Sequence, residues 1–253
     1  MTLIVTRRGL IQTGMIGAGS LLLPGCDKIA QNPAVLDTLG QSEKLHRLTQ
    51  RALGRNALAR EYRESEMSPV FRANGSREVV DPAYRAQLAQ GFANWALRID
   101  GLVEQPLAIP LHALRTMPQR AQITRHDCVE GWSAIGRWQG PRLSMLLDIA
   151  GLKPAARYLV FHCADRYLGK PYYESIDLVD AFHPQTILAW AMNGKPLEEA
   201  HGAPLRLRVE RQLGYKHAKF VSRIEAVASL AGLYGGKGGY WEDAEAYAWY
   251  AGI

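Results

Sequence analysis

Apolar residues recur at helical spacing early in the chain, where Leu45, Leu48 and Ala52 share a stripe, Gly54 interrupts, and A-L-A-R-E-Y-R-E over residues 57–64 resumes in good helix formers. That spacing predicts an N-terminal helical arm over residues 26–67. Pro, Asn and Gly then mark a loop over residues 68–76. From Trp95 the period changes to two: Trp95, Leu97 and Ile99 alternate with polar or small neighbours, Asp100-Gly101 bends the run, and residues 102–107 resume it. A short helical turn is expected over residues 111–117 and a strand over residues 121–125. A glycine- and tryptophan-studded turn follows over residues 127–140, and then a helix with Pro141 in its first turn, Leu143, Leu146, Leu147 and Ala150 on its inner face and Gly151 as its stop. Further strands are expected over residues 156–163, over residues 188–192 closed by the tight-turn pair Asn193-Gly194, and over residues 221–227. Between the last two, Leu205, Leu207 and Val209 alternate with Arg206 and Arg208, so the arginine face must meet water or an anion. The pattern gives an α+β class.

Composition narrows this little. With 253 residues and 47% hydrophobic content the chain can bury a sizeable core. It has no internal repeat, low-complexity tract or linker, so residues 68–253 read as one domain behind the arm. The net charge is +6, of which Arg7 and Arg8 supply two, and no basic run interleaves with aromatics as a nucleic-acid groove would. Nucleic acid is not an expected partner.

The first 25 residues have the order of an export signal: T-R-R-G-L-I-Q over residues 6–12, an uncharged run over residues 14–23, then L-P-G-C-D. The arginine pair resembles the twin-arginine signature of proteins exported already folded. Leu23-Pro24-Gly25-Cys26 resembles a lipobox, which implies a lipid on Cys26 and a place on the periplasmic side of a bacterial inner membrane. The apolar run falls short of the roughly 20 residues that span a bilayer.

Chemistry centres on Cys128, at the end of the strand over residues 121–125, beside Arg125 and His126. A second cationic group gathers at His201, Arg206, Lys216, His217 and Lys219, and a loop carries Arg72 and Asn74. Cationic neighbours favour thiolate over thiol, and a soft thiolate suits a soft-ligand metal. Zinc spacing is missing, so a lone cysteine ligand makes sense where a cofactor supplies the other ligands. The competing reading joins Cys128 to Cys163 as a disulfide in an exported, non-enzymatic ligand-binding lipoprotein. Glycines over residues 235–239 lack the order of a phosphate loop, and Tyr240, Trp241 and Trp249 mark an ordered tail.

C-V-E-G-W-S at residues 128–133, W-x-G-x-x-L at 138–143, H-G-A-P-L-R-L at 201–207 and G-Y-K-x-x-K at 214–219, in that order, resemble the sulfite-oxidase superfamily of molybdenum-cofactor enzymes. The nearest likeness is to its exported, haem-free bacterial branch, which includes the catalytic subunit of a periplasmic protein-methionine-sulfoxide reductase. The resemblance implies a sulfite-oxidase-type molybdopterin-binding domain and two-electron oxygen-atom transfer on a small or peptide-borne substrate. Cys128 would be the molybdenum ligand, and Arg72, Asn74, Cys163, His201, Arg206, His217, Ala218 and Lys219 would contact the cofactor. Electrons would pass through a membrane cytochrome b or a soluble cytochrome c. Val129, Glu130, Gly131 and Trp132 stand where sulfite oxidases place an asparagine and paired arginines, which argues against sulfite, although a sulfite dehydrogenase of the same fold is the alternative. The chain is too short for the family's immunoglobulin-like dimerisation domain, so that kind of dimer is not expected.

Overall fold

The computed structural model describes residues 32–253; the leader, with Arg7, Arg8 and Cys26, lies outside the described residues. Two compact units result, the first ending at Gly54 and the second running from Arg55 to Ile253. In the first, helix α1 (Pro33–Gly54) is the N-terminal arm, and Gly54 closes it as the sequence predicts. Among the described residues no helix is long and apolar enough to cross a membrane.

The expected return to helix over residues 57–64 does not occur. Residues 57–63 are extended and lie along strand β3 (Gln119–Asp127), with the Tyr62 N–H donating to the Ile123 carbonyl at 2.9 Å and a bridge from Glu61 to Thr124, and Glu64 then opens a single 3₁₀ turn. Gln185 fixes it further, accepting from the Ala59 N–H at 2.7 Å and donating to the Ala59 carbonyl at 2.9 Å. Helix propensity is a difference of tenths of a kcal/mol per residue, and these tertiary hydrogen bonds override it.

Three sheets make up the second unit. A five-stranded sheet has the order β2-β1-β11-β5-β6, built from β1 (Ala96–Gly101), β2 (Leu107–Pro110), β5 (Tyr158–Tyr167), β6 (Lys170–Asp177) and β11 (Val221–Val227). Only the β1–β11 pair is parallel. A four-stranded sheet orders β3, β4 (Ser133–Pro141), β8 (Ala191–Met192) and β9 (Lys195–Pro196), and β7 (Ile187–Ala189) pairs with β10 (Arg206–Arg208). The expected single strand over residues 188–192 is thus divided at Trp190 between two sheets. Asn193-Gly194 does form the predicted tight turn, both residues having positive φ. The strand after the Asp100-Gly101 bend begins at Leu107 rather than Leu102, and β5 continues past Cys163 to Tyr167.

One apolar core joins these layers. It contains Leu97 and Ile99 from β1, Leu159 and Phe161 from β5, Ile224 from β11, Leu205 and Leu207, and the inner face of a helix (Leu143–Ala150) carrying Leu143, Leu146, Leu147 and Ala150. Gly151 ends that helix at φ 64° as expected, whereas Pro141 closes β4 opposite Gln119 instead of opening the helix. The helix Leu111–Thr116 and strand β11 lie where the spacing put them.

The block around Cys128 departs furthest from the sequence expectation. Residues 133–140 form most of β4, in nine-pair antiparallel register with β3, and only residues 128–132 turn. Its glycines mark close approach rather than bends. A Cβ on Gly140 would collide with the Leu188 carbonyl and lie 2.8 Å from the Ala189 Cα, both rigid backbone of β7. Gly140→Ala is therefore expected to destabilise the protein by about 1–3 kcal/mol or more through forced backbone shifts. Urea unfolding measures this, and a change under about 0.5 kcal/mol, the range of an ordinary surface substitution, would contradict the close packing of β4 on β7.

Candidate functional site

The β3–β4 hairpin sets Cys128. Its N–H donates to the Trp132 carbonyl at 2.9 Å, and Gly131, at φ 85°, donates back to the Cys128 carbonyl at 3.0 Å. The side chain is 7% exposed and opens on a cavity of about 330 Å³. Asn74 Nδ2 approaches Cys128 Sγ at 3.7 Å from the loop over residues 68–76. Arg206, His217 and Lys219 line it too, with Ser76, Glu130 and Asp165 as further polar residues.

The remaining predicted residues lie elsewhere. Arg72 is exposed and Cys163 is partly buried in β5, with Sγ 3.7 Å from the Phe161 carbonyl; both lie outside the cavity lining. His201 lies beside a separate shallow pocket, its Nε2 donating to the Phe71 carbonyl at 3.2 Å. Ala218 is buried, with its carbonyl accepting from Leu207 N–H at 2.9 Å. Cys128 and Cys163 are both free thiols, so the disulfide expected by the ligand-binding alternative does not form.

The groups around Cys128 do not favour its thiolate. Burial pushes the Cys128 thiol up; the Glu130 N–H, the Asn74 amide and the Arg206 charge offset this only in part, while the Glu130 carboxylate adds to it. The two cations expected to help do not. Arg125 is bound to Asp127, with Nε 3.0 Å from Oδ2, and burial keeps His126 neutral, its pKa far below the usual histidine range. The protein alone holds Cys128 as a thiol, and a bound metal would displace the proton.

Both arginines of β10 are fully buried, contrary to a face that meets water. Arg208 meets an internal anion: it grips Glu210 through Nε at 2.9 Å and Nη2 at 2.6 Å, donates to His126 Nδ1 at 3.0 Å, and lies 4.2 Å from the Trp138 ring centroid. Arg206 has no such carboxylate. Its Nε is buried without a partner among the described residues, and burial with Arg208 nearby lowers its pKa to about 9. Lys219 is pushed down to about 7 by burial and Arg206. Its Nζ donates to the carbonyls of Asn74 at 2.7 Å and Ala200 at 3.0 Å and to that of Ser76, which uses its three donors. Lys219 thus ties down the Asn74 loop and offers the cavity charge rather than hydrogen bonds.

Two lining acceptors are unmatched as well. His217 Nε2 donates to the Gln212 carbonyl at 3.0 Å, so its Nδ1 is an acceptor, and that atom has no partner among the described residues; nor has Asp165 Oδ1. A donor at Arg206 and acceptors at His217 and Asp165, all buried, fit a ligand that carries both anionic oxygen and N–H groups, as a pterin phosphate does. Among the described residues no three His, Cys, Asp or Glu side chains gather to hold a metal by themselves.

Sequence reasoning missed much of the lining: Asp165, Tyr167, Tyr172, Tyr215, Trp241 and Tyr247. Trp241 was read as a structural anchor of the tail. The signal present was the aromatic density of residues 240–250, but nothing local says that a tail returns to a distant hairpin.

Comparison with known proteins gives consistent results. Residues 85–231 match the family described as "Oxidoreductase molybdopterin binding domain". A protein of Azospira oryzae named "Putative protein-methionine-sulfoxide reductase subunit YedZ1" is 36% identical over 250 residues, covering 97% of this chain and 87% of that protein. The protein-methionine-sulfoxide reductase catalytic subunit MsrP of Campylobacter jejuni is 32% identical over 58% of this chain and 54% of its own length. The crystal structure of the sulfane dehydrogenase SoxCD from Paracoccus pantotrophus aligns over 54% of this chain and 39% of that one, at 26% identity and a TM-score of 0.49. The family assignment makes the chain an enzyme and overturns the non-enzymatic reading already weakened by the free cysteines. The chain belongs to the molybdopterin-binding oxidoreductases of the sulfite-oxidase superfamily.

Proposed function

We propose that the protein reduces S-oxides, methionine sulfoxide foremost, with a molybdenum-pterin cofactor held in the cavity behind Cys128. The observation that carries this reading is the set of unmatched buried polar atoms around a cavity with a free cysteine in its wall. Its substrate half is supported by the names of the two relatives. The overall change is R–S(O)–CH3 + 2 H⁺ + 2 e⁻ → R–S–CH3 + H2O. When bound, the molybdenum-pterin supplies the two-electron couple for oxygen-atom transfer.

The chain's own residues do the rest. Cys128 would hold the metal through its sulfur, and Asn74 Nδ2, at 3.7 Å, would stabilise the charge on that sulfur. Arg206 Nε would give an anionic oxygen of the cofactor a buried donor, and His217 Nδ1 and Asp165 Oδ1 would accept from its N–H groups. Lys219 holds the Asn74 loop against the cavity through its carbonyl contacts. Electrons come from a one-electron haem partner, a membrane cytochrome b or a soluble cytochrome c. The signal-like order of the first 25 residues supports a periplasmic site of action, where a lipid on Cys26 would keep the enzyme near such a partner.

The test is to produce the full chain in a host that makes the cofactor, measure molybdenum per chain, and assay methionine sulfoxide and sulfite with dye donors and acceptors. About one metal per chain with sulfoxide reduction is expected. Absence of molybdenum, or a loaded protein that oxidises sulfite and leaves sulfoxides untouched, would refute the proposal.

A further inference from the structure

The cavity lining is divided by chemistry. Its unmatched polar atoms, on Asp165, Arg206 and His217, all fall within residues 85–231, the span shared with the family. The remainder includes a continuous strip of four rings. Tyr167 and Trp241 have centroids 5.0 Å apart, Trp241 and Tyr247 stack at 5.8 Å, and Tyr247 meets Tyr215 edge-on at 5.1 Å. All four line the cavity, and Tyr167, Trp241 and Tyr247 are only half-buried, so ring surface remains for a ligand.

Trp241 and Tyr247 lie beyond the matched span, in a tail fixed by its own contacts. Tyr240 donates to the Tyr167 carbonyl at 3.1 Å, and Tyr215 donates to the Ala248 carbonyl at 2.6 Å. None of the four rings carries an unmatched buried donor or acceptor, whereas the polar edge of a pterin needs such partners, so the two parts of the lining suit different ligands. Glu130 also lines the cavity, two residues from Cys128; it is exposed and accepts from Trp132 Nε1 at 3.0 Å. Of the lining cations, Lys219 has its donors committed to carbonyls and Arg206 is buried.

We infer that the strip Tyr167–Trp241–Tyr247–Tyr215, with Glu130 beside it, is the substrate subsite, and that it selects an uncharged methyl sulfoxide on an aliphatic chain while repelling anions. The inference rests on the sulfoxide-reductase reading and adds the residues that set specificity. Methyl and sulfur groups gain from ring faces and edges without carrying charge, whereas an anion would meet the ring quadrupoles and a carboxylate. The same chemistry is available from a free sulfoxide or from an oxidised methionine in a peptide.

The experiment uses the holoenzyme and its Trp241→Ala, Tyr247→Leu and Glu130→Gln variants. KM and kcat are measured for N-acetyl-methionine sulfoxide and for a tripeptide with a central methionine sulfoxide, and calorimetry gives their equilibrium binding. Trp241→Ala is expected to raise KM and Kd about tenfold for both probes, with molybdenum content unchanged. Glu130→Gln is expected to tighten inhibition by sulfite or sulfate several-fold. Unchanged KM and Kd, a shift confined to the tripeptide, or loss of molybdenum in the ring variants would each overturn the subsite. If the wild type binds sulfoxides but does not reduce them, and Trp241→Ala weakens that binding, the subsite stands and the proposed reaction fails.

Discussion

Cys128→Ser is expected to abolish turnover while leaving the fold in place. The side chain is 7% exposed at the tip of a hairpin whose turn is closed by backbone hydrogen bonds, Cys128 N–H to the Trp132 carbonyl and Gly131 N–H to the Cys128 carbonyl. Serine preserves those bonds and nearly the same volume, so circular dichroism and the unfolding midpoint should stay close to wild type. Metal binding changes more, because a hydroxyl is a harder and far less acidic ligand than a thiol. Loss of residues that merely orient metal ligands costs about 10–100-fold, so removal of the ligand itself should cost at least about a hundredfold in kcat. Elemental analysis and dye-linked sulfoxide reduction on the same preparation test this. A variant that retains molybdenum and more than a tenth of the activity would remove Cys128 from the metal's coordination.

How much of this was legible depended on whether the deciding contact was local. Strand β11 and the Asn193-Gly194 turn were read correctly because period and turn chemistry sit within a few residues. Residues 133–140 were read as a turn because their glycines look the same whether the chain bends or another segment presses on it; only the carbonyl of Leu188 against Gly140 decides between these. Residues 57–64 carry helix formers, but their hydrogen bonds go to Ile123 and Gln185, far away in sequence. In the site, Cys128, Asn74, Arg206, His217 and Lys219 were recoverable from motifs, and they do line one cavity. Arg72, His201 and Ala218 belong to the same segments, and Cys163 lies in β5, yet all four stand outside it, since a motif fixes order along the chain and not where each side chain faces. The ring strip was illegible, as it forms from a hairpin, a short 3₁₀ turn and the tail.

Lys216→Met should be the most destabilising single change outside the cavity. Lys216 Nζ lies 2.6 Å from Glu174 Oε2 and 2.5 Å from Glu242 Oε1, with all three side chains buried. The other oxygens, Glu174 Oε1 and Glu242 Oε2, lie against Gly239 without a donor among the described residues. Removing the lysine leaves two buried carboxylates facing each other, which costs about 3–5 kcal/mol. Even with lysine present the group holds one excess negative charge. Burial first, and the Glu242 carboxylate second, push the Glu174 pKa well above the usual range, with Lys216 only partly opposing them. The sign follows from the linkage between protonation and folding. Protonated Glu174 is favoured in the folded state, so its contribution is complete below the unfolded value of about 4.3 and is lost as pH rises through the folded value. The contribution of Glu174 should therefore decline with rising pH above about 4.3, and Glu174→Gln, fixed in the neutral form, should remove that part of the pH dependence while costing less than Lys216→Met. Urea unfolding of the three proteins between pH 5 and 9 separates these outcomes. A Lys216→Met protein within about 1 kcal/mol of wild type, or a pH slope unchanged in Glu174→Gln, would show that the triad does not hold the tail behind Trp241 and Tyr247 in the way its geometry requires.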